Sequence, residues 1–160
     1  MPLAVVTGSF ALPAPRHFEW PVRIYWEDTD AGGVVFYANY MKFFERARTE
    51  WLRTFGPGQE VFRQSGQGMF VVTDTRVRYR SPARLDDQIT ITVRLVEIGR
   101  ASLAITQQAF KGEVLLADGE IRIGWVKSDA QGLLKPARLP AEVLAGLPTL
   151  LNDAQSSPAV

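Results

Sequence analysis

From Phe18 to Trp26 apolar and polar positions alternate. Val22, Ile24 and Trp26 fall on one side and Arg23 and Tyr25 on the other, which predicts a β-strand. From Tyr37 to Phe55 the period lengthens to that of a helix. Tyr40, Phe43, Phe44, Ala47, Trp51 and Phe55 recur at spacings of three and four and form one stripe, while Lys42, Glu45, Arg46, Thr49, Glu50 and Arg53 fall largely opposite. Gly56-Pro57-Gly58 then ends the pattern, glycine supplying a left-handed cap and proline blocking continuation. Burying one aromatic ring is worth roughly 1.5–3 kcal/mol, so a stripe this aromatic can anchor a fold if an apolar sheet covers it.

A short second helix is predicted over residues 59–65, closed by Gly66 and Gly68, and beyond it the chain reads as strands. Phe70 to Arg80 sets Thr73, Thr75, Val77 and Tyr79 against Asp74, Arg76, Arg78 and Arg80. After the turn Ser81 to Asp87, Ile89, Ile91, Val93 and Leu95 mark the next strand. Gly99-Arg100 turns the chain into Ala101 to Phe110, and Lys111-Gly112-Glu113 connects that strand to Val114 to Val126. Residues 128–132 read as loop, 133–136 as a short extended piece and 141–147 as a final helical turn. Short turns predict antiparallel neighbours. With no helices between the strands, a parallel doubly wound sheet is excluded, and the class is α+β, one long helix against one antiparallel sheet. Residues 1–17, with Pro2, Pro13 and Pro15, read as a loose arm, 18–150 as a single domain and 151–160 as a tail.

Composition narrows the chemistry. A hydrophobic fraction of 46% and a charged fraction of 22% are those of a globular chain, and a net charge of +1 predicts no nucleic-acid partner. There is no cysteine and a single histidine, His17, which excludes thiolate catalysis and multi-histidine metal sites and disfavours a Ser-His-Asp triad. Carboxylates, hydroxyls, backbone amides and Arg or Lys remain. No run approaches the ~18 apolar residues of a membrane helix, and the first residues lack a basic start, so the expected compartment is the cytoplasm.

The candidate chemistry lies where strand gives way to helix, at Glu27-Asp28-Thr29-Asp30-Ala31-Gly32-Gly33. The Asp28-x-Asp30 spacing invites a metal-assisted phosphoryl-transfer site, but that chemistry belongs at the end of a parallel strand. A calcium loop fails because position five is Gly32 and the closing bidentate position is Asn39. A third reading is acyl transfer or hydrolysis with Asp30 as base or nucleophile. The start of a helix offers N–H donors for the oxyanion of an attacked thioester or ester, worth ~3–4 kcal/mol per donor, and Gly32-Gly33 lets substrate approach the backbone. Against these stands a plain capping role for both aspartates, and spacing alone does not decide among them.

Tyr25-Trp26-Glu27-Asp28-Thr29-Asp30-Ala31-Gly32-Gly33-Val34-Val35, followed by Phe43-Phe44-Glu45-Arg46-Ala47-Arg48-Thr49-Glu50, resembles the hot-dog-fold acyl-CoA thioesterases. The resemblance is closest to the Tol–Pal-associated acyl-CoA thioesterases and the 4-hydroxybenzoyl-CoA thioesterases. It continues through Tyr79 to Asp87 and Leu134-Lys135-Pro136, spanning about Pro21 to Pro140. It implies a hot-dog subunit, an α+β fold with one central helix wrapped by about five antiparallel strands, that pairs edge to edge as a homodimer or homotetramer. It implies hydrolysis of a short-chain acyl-CoA or aroyl-CoA to free acid and coenzyme A, with no cofactor and no metal. The acyl-CoA substrate is the partner, and an acyl carrier protein is an optional one. The family's catalytic aspartate falls on Asp30 and its oxyanion donor on the backbone N–H of Tyr37. Gly32, Gly33, Val34 and Asn39 would line the substrate, and Arg100, with Arg84 second, would hold the nucleotide end of coenzyme A.

The chain departs from the Tol–Pal-associated pattern at one position. Those members commonly carry histidine directly before the alanine of Tyr-His-Ala-x-Tyr, where this chain has Tyr37, closer to the hydroxybenzoyl-CoA branch. That bears on any histidine-assisted step and on substrate preference. Glu45, with Lys42, Arg46 and Arg48, reads as a solvated charge cluster on the helix. Arg76, Arg78 and Arg80 read as a solvated or interface face, and Ser102 and Thr106 as ordinary strand residues. Two rivals are a non-catalytic acyl-CoA or acyl-carrier binding module and a hot-dog dehydratase, the latter disfavoured because His17 lies in the arm.

Overall fold

A computed structural model describes residues 17–147; residues 1–16 and 148–160, and with them the tail and all of the arm but His17, lie outside the described residues. The elements run β1 (Phe18–Arg23), a 3₁₀ turn (Trp26–Asp28), α1 (Asn39–Arg53), α2 (Gln59–Gln64), β2 (Met69–Tyr79), β3 (Gln88–Ile98), β4 (Ser102–Lys111), β5 (Val114–Ser128) and β6 (Leu134–Pro136), followed by a helical stretch over 141–147.

The six strands form one antiparallel sheet in the order β1-β3-β4-β5-β2, with β6 added to the end of β5. The α+β class and one long helix on one antiparallel sheet are as expected. The expectation that the four later strands all neighbour their successors in sequence fails for β2 and β3. β2 pairs with β5 at one edge, and β3 lies two strands further across. The connection over residues 80–87 is long enough to cross the end of the sheet, and it is pinned there: the Val35 N–H donates to Ala83 O at 2.9 Å and the Ile24 N–H to Asp87 O at 2.9 Å.

The stripe on α1 is buried as its spacing requires. Phe43, Phe44 and Ala47 are fully enclosed, and Tyr40 and Trp51 nearly so. They meet the inward residues Ile89, Ile91 and Val93 of β3, Leu103 and Ile105 of β4, and Ile121, Ile123 and Trp125 of β5. Gly119 of β5 leaves room for the Phe44 ring, since a Cβ there would lie 2.9 Å from that ring's edge. Pro21, which has no N–H to donate, sits in the edge strand β1.

Three local expectations are corrected. The first strand stops at Arg23, so Trp26 enters the 3₁₀ turn and lies 79% exposed rather than beside Val22 and Ile24. α1 begins at Asn39 and ends at Arg53, with Thr54 as a right-handed cap whose Oγ1 donates to Trp51 O at 2.6 Å. No left-handed glycine closes it; the positive φ in Gly56-Pro57-Gly58 belongs to Gly58, which opens α2. In β2 the alternation is broken by a bulge between Val72 and Asp74, and most of this edge strand is exposed on both faces.

Candidate active site

The segment between β1 and α1 folds on its own hydrogen bonds. The Gly33 N–H donates to Asp30 O at 3.0 Å and the Asp30 N–H to Val34 O at 2.9 Å, and Thr29 and Val35 bridge across the loop. Gly33 sits at φ +74°, the left-handed region a side chain resists. Gly32 has another reason to be glycine: a Cβ there would come within 3.1 Å of Asp30 Oδ1. That oxygen accepts the Gly32 N–H at 2.8 Å, so the loop backbone orients an exposed carboxylate whose other oxygen has no hydrogen-bond partner among the described residues.

The two aspartates separate by environment. Asp28 is 7% exposed; its Oδ2 accepts the Tyr25 N–H at 2.8 Å, and its carbonyl accepts the Phe36 N–H and Asn39 Nδ2, both at 2.9 Å. Its carboxylate and its carbonyl both build the turn. Asn39, expected against substrate, is buried with its amide committed to that carbonyl. The Asp28 carbonyl thus takes two donors, one from the backbone and one from the helix-entry asparagine.

The entry to α1 uses up the helix's own first donors. Asn39 N–H bonds Phe36 O at 2.9 Å, Tyr40 N–H reaches Tyr37 O at 3.4 Å and Met41 N–H bonds Ala38 O at 3.1 Å. Among the described residues no acceptor meets the N–H of Tyr37 or of Ala38, so free donors lie just ahead of the helix. The Tyr37 side chain is exposed, stacked edge-on to Tyr79 with ring centroids 6.0 Å apart. Tyr79 in turn packs against Tyr40 at 5.5 Å. Burial pushes the phenols of Tyr40 and Tyr79 above their ordinary value, which keeps both neutral and able to donate. Together with Val34, Val35 and Pro82 these three rings line a mainly apolar cavity of about 270 Å³ beside the loop.

Val34 therefore lines a cavity, as expected of a substrate contact, and it is bridged to Arg84 across the loop. Arg84 is exposed next to the site, its N–H held by Asp87 Oδ2 at 2.9 Å. Arg100 is exposed in the turn at the opposite end of β3. Eleven residues at ~3.3 Å each put it about 30 Å from Arg84, so one subunit does not bring Arg100 to Asp30. Among the described residues no group of three or more His, Asp and Glu side chains is placed to hold a metal ion.

Sequence reasoning overlooked two features. Tyr79, which the alternation places on one face of a strand, has a hydroxyl that reaches the Tyr37 carbonyl. Arg48, placed in a solvated cluster, is 8% exposed and donates to Gln107 Oε1 at 2.8 Å. Its spacing of four from Phe44 and three from Trp51 was the available signal, since that places it on the flank of the buried stripe.

Residues 24–147 match the family model described as the thioesterase-like superfamily. The chain is 38% identical over 128 residues to the acyl-CoA thioesterase YbgC of Haemophilus influenzae, spanning 80% of this chain and 92% of that one. It is 41% identical over 129 residues to the acyl-CoA thioester hydrolase YbgC of Escherichia coli O6:H1, spanning 80% and 93%. Among solved structures, a probable thioesterase from Bartonella henselae superposes with a TM-score of 0.71 at 32% identity, over 78% of this chain and 99% of that one.

Proposed function

Because the chain belongs to the thioesterase-like superfamily and is accordingly a thioester hydrolase, we propose that it cleaves a short-chain acyl-CoA or an aroyl-CoA with Asp30 as nucleophile or general base. The observation that carries this reading is the Asp30 carboxylate, exposed and oriented by the Gly32 N–H, on the loop that leads to the unpaired Tyr37 N–H. As base, the carboxylate takes a proton from water, and the hydroxide adds to the thioester carbonyl. As nucleophile, it adds directly and forms a mixed anhydride that water then opens. Either route passes through an oxyanion, for which the Tyr37 N–H is the proposed donor, and expels coenzyme A as the thiolate, which takes up a proton.

The tyrosine-lined cavity supports a small acyl group. Its volume of about 270 Å³ lies below the ~300 Å³ lower end of drug-sized pockets, and its aromatic walls suit a flat or short apolar body. No cofactor enters this reading. Arg84, beside Val34, is the nearer of the two expected contacts for the nucleotide end of coenzyme A; Arg100 could serve only across a subunit boundary. We assign the free edge of β2, eleven residues long, to pairing in a homodimer or homotetramer, because an unpaired strand of that length is a template for another chain. An acyl carrier protein could deliver the same thioester. No helix among the described residues is long and apolar enough to cross a membrane, and we place the protein in the cytoplasm.

Free-thiol release from a panel of short-chain, long-chain and aromatic acyl-CoA esters tests the reading. Short-chain or aromatic esters are expected to turn over, and Asp30→Asn is expected to abolish release. Wild-type rates from Asp30→Asn would remove Asp30 from the chemistry. No release from any ester, with binding retained, would favour a non-catalytic acyl-CoA binder.

A further inference from the structure

Arg48 is a buried cation with no anion. It lies on α1 with only 8% of its surface exposed, and among the described residues no carboxylate comes within ion-pair distance of it. One guanidinium nitrogen, Nη1, donates to Gln107 Oε1 at 2.8 Å. Gln107 is fully buried and cannot rotate away, since its Nε2 donates to Phe44 O at 3.0 Å, and so its oxygen must face Arg48. A guanidinium carries five N–H donors on three nitrogens. Burial alone would pull its proton affinity down, and burying such a charge unpaired is strongly destabilising. Neither Nε nor Nη2 has a hydrogen-bond partner among the described residues, and Arg48 lines a cavity of about 210 Å³ between α1 and the bulged start of β2.

The walls of that cavity say what it accepts. Leu52, Phe70, Val72 and Ile123 supply an apolar wall, and Glu45, Arg48, Thr49 and Gln59 a polar one. The side of the guanidinium away from Gln107 presents Nε and Nη2 in the fork that takes both oxygens of one carboxylate. The titratable group sharing this cavity is Glu45. Its carboxylate turns back to accept Thr49 Oγ1 at 2.7 Å on the exposed helix surface, and its charge supports the protonated form of Arg48. We propose that this cavity, separate from the tyrosine-lined one, binds a small monocarboxylic acid with an apolar body, its carboxylate paired bidentately with Arg48. The inference stands apart from the hydrolytic reading and does not need it.

The probe is benzoate, titrated calorimetrically into the full chain at constant ionic strength, with benzamide as the neutral counterpart. One benzoate per chain is expected to bind, and benzamide roughly tenfold or more weaker, because only the carboxylate pairs with the fork. Arg48→Met should reduce benzoate affinity by about tenfold or more. Val72→Trp, at a position 52% exposed on the cavity rim, should do the same by filling the space while leaving the arginine in place. Glu45→Gln should tighten binding a few-fold by removing a like charge. If Arg48→Met fails to fold, Val72→Trp decides. Four results would each overturn the proposal: no benzoate binding, equal binding of benzamide, binding that Val72→Trp leaves unchanged, or binding lost with Tyr79→Ala but not with Val72→Trp. If wild type ignores benzoate and Arg48→Met instead converts an oligomer to monomers, the guanidinium pairs with a second copy and the proposal fails.

Discussion

The hydroxyl of Tyr79, at the end of β2, donates to the carbonyl oxygen of Tyr37 at 3.0 Å and so ties the edge strand to the segment that precedes α1. The helical bond to the same carbonyl, from the Tyr40 N–H, is long at 3.4 Å, which leaves Tyr79 as the shorter of its two restraints. Tyr79→Phe keeps the ring contacts and removes only this bond. A neutral hydrogen bond is worth about 0.5–1.5 kcal/mol, so kcat should fall roughly 2- to 13-fold. KM should stay near wild type, and the same lost bond should lower the melting temperature by about 1–6 °C. Steady-state kinetics on the best ester checks this, and an unchanged kcat would mean that the tether does not position the site.

The two glycines of the loop should fail in different ways. At Gly32, with an ordinary backbone, an added Cβ meets the Asp30 carboxylate at 3.1 Å. Gly32→Ala should therefore lower turnover by roughly tenfold, the effect of a displaced reacting group, with little loss of stability. At Gly33 a Cβ meets nothing within 4 Å, but φ is +74°. Gly33→Ala should cost about 1–2 kcal/mol of stability. Paired urea unfolding and kinetic measurements would separate the two; equal effects on both properties from both variants would refute the distinction.

The core makes its own prediction at Gly119. A side chain there meets the Phe44 ring at 2.9 Å and Ile121 Cδ1 at 3.2 Å, both inside the packed layer between helix and sheet. Gly119→Ala should destabilise by about 1–3 kcal/mol through overpacking. Gly119→Ala with Phe44→Leu should recover part of that loss, a non-additivity that a double-mutant cycle would read.

Asp87 gives stability an acid limb. Partial burial raises its pKa, but Lys111 Nζ at 2.7 Å and the Arg84 N–H at 2.9 Å outweigh that, and the net shift is downward. A carboxylate with a depressed folded-state pKa stabilises fully above the ordinary aspartate value of about 3.9, and the contribution is lost as pH falls through the folded value. Asp87→Asn should cost about 1–3 kcal/mol at neutral pH and flatten the decline in melting temperature on acidification. Thermal melts across that range would show it. A variant with the wild-type acid limb would assign the limb to other carboxylates.

Period and punctuation alone determined the class of this protein. The aromatic stripe from Tyr40 to Trp51, the strand runs after Gly68 and the turn at Lys111-Gly112-Glu113 are local signals, because a helix or a hairpin brings together residues that are near in sequence. The loop holding Asp30 was legible for the same reason, since Gly32 answers to Asp30 two positions back and Gly33 to its own backbone angle. What the sequence could not show depends on distant partners. β2 pairs with β5 rather than β3 because the connection over 80–87 crosses the sheet end and anchors at Ile24 and Val35. Asn39 turns inward to give the Asp28 carbonyl, eleven residues back, a second donor beside the Phe36 N–H. Arg48 is a buried cation and not a surface one only because Gln107, fifty-nine residues on, arrives from β4 to receive it. Such pairings are settled when helix and sheet close on each other, and the periodicity of one chain segment carries no trace of which residue the other will bring.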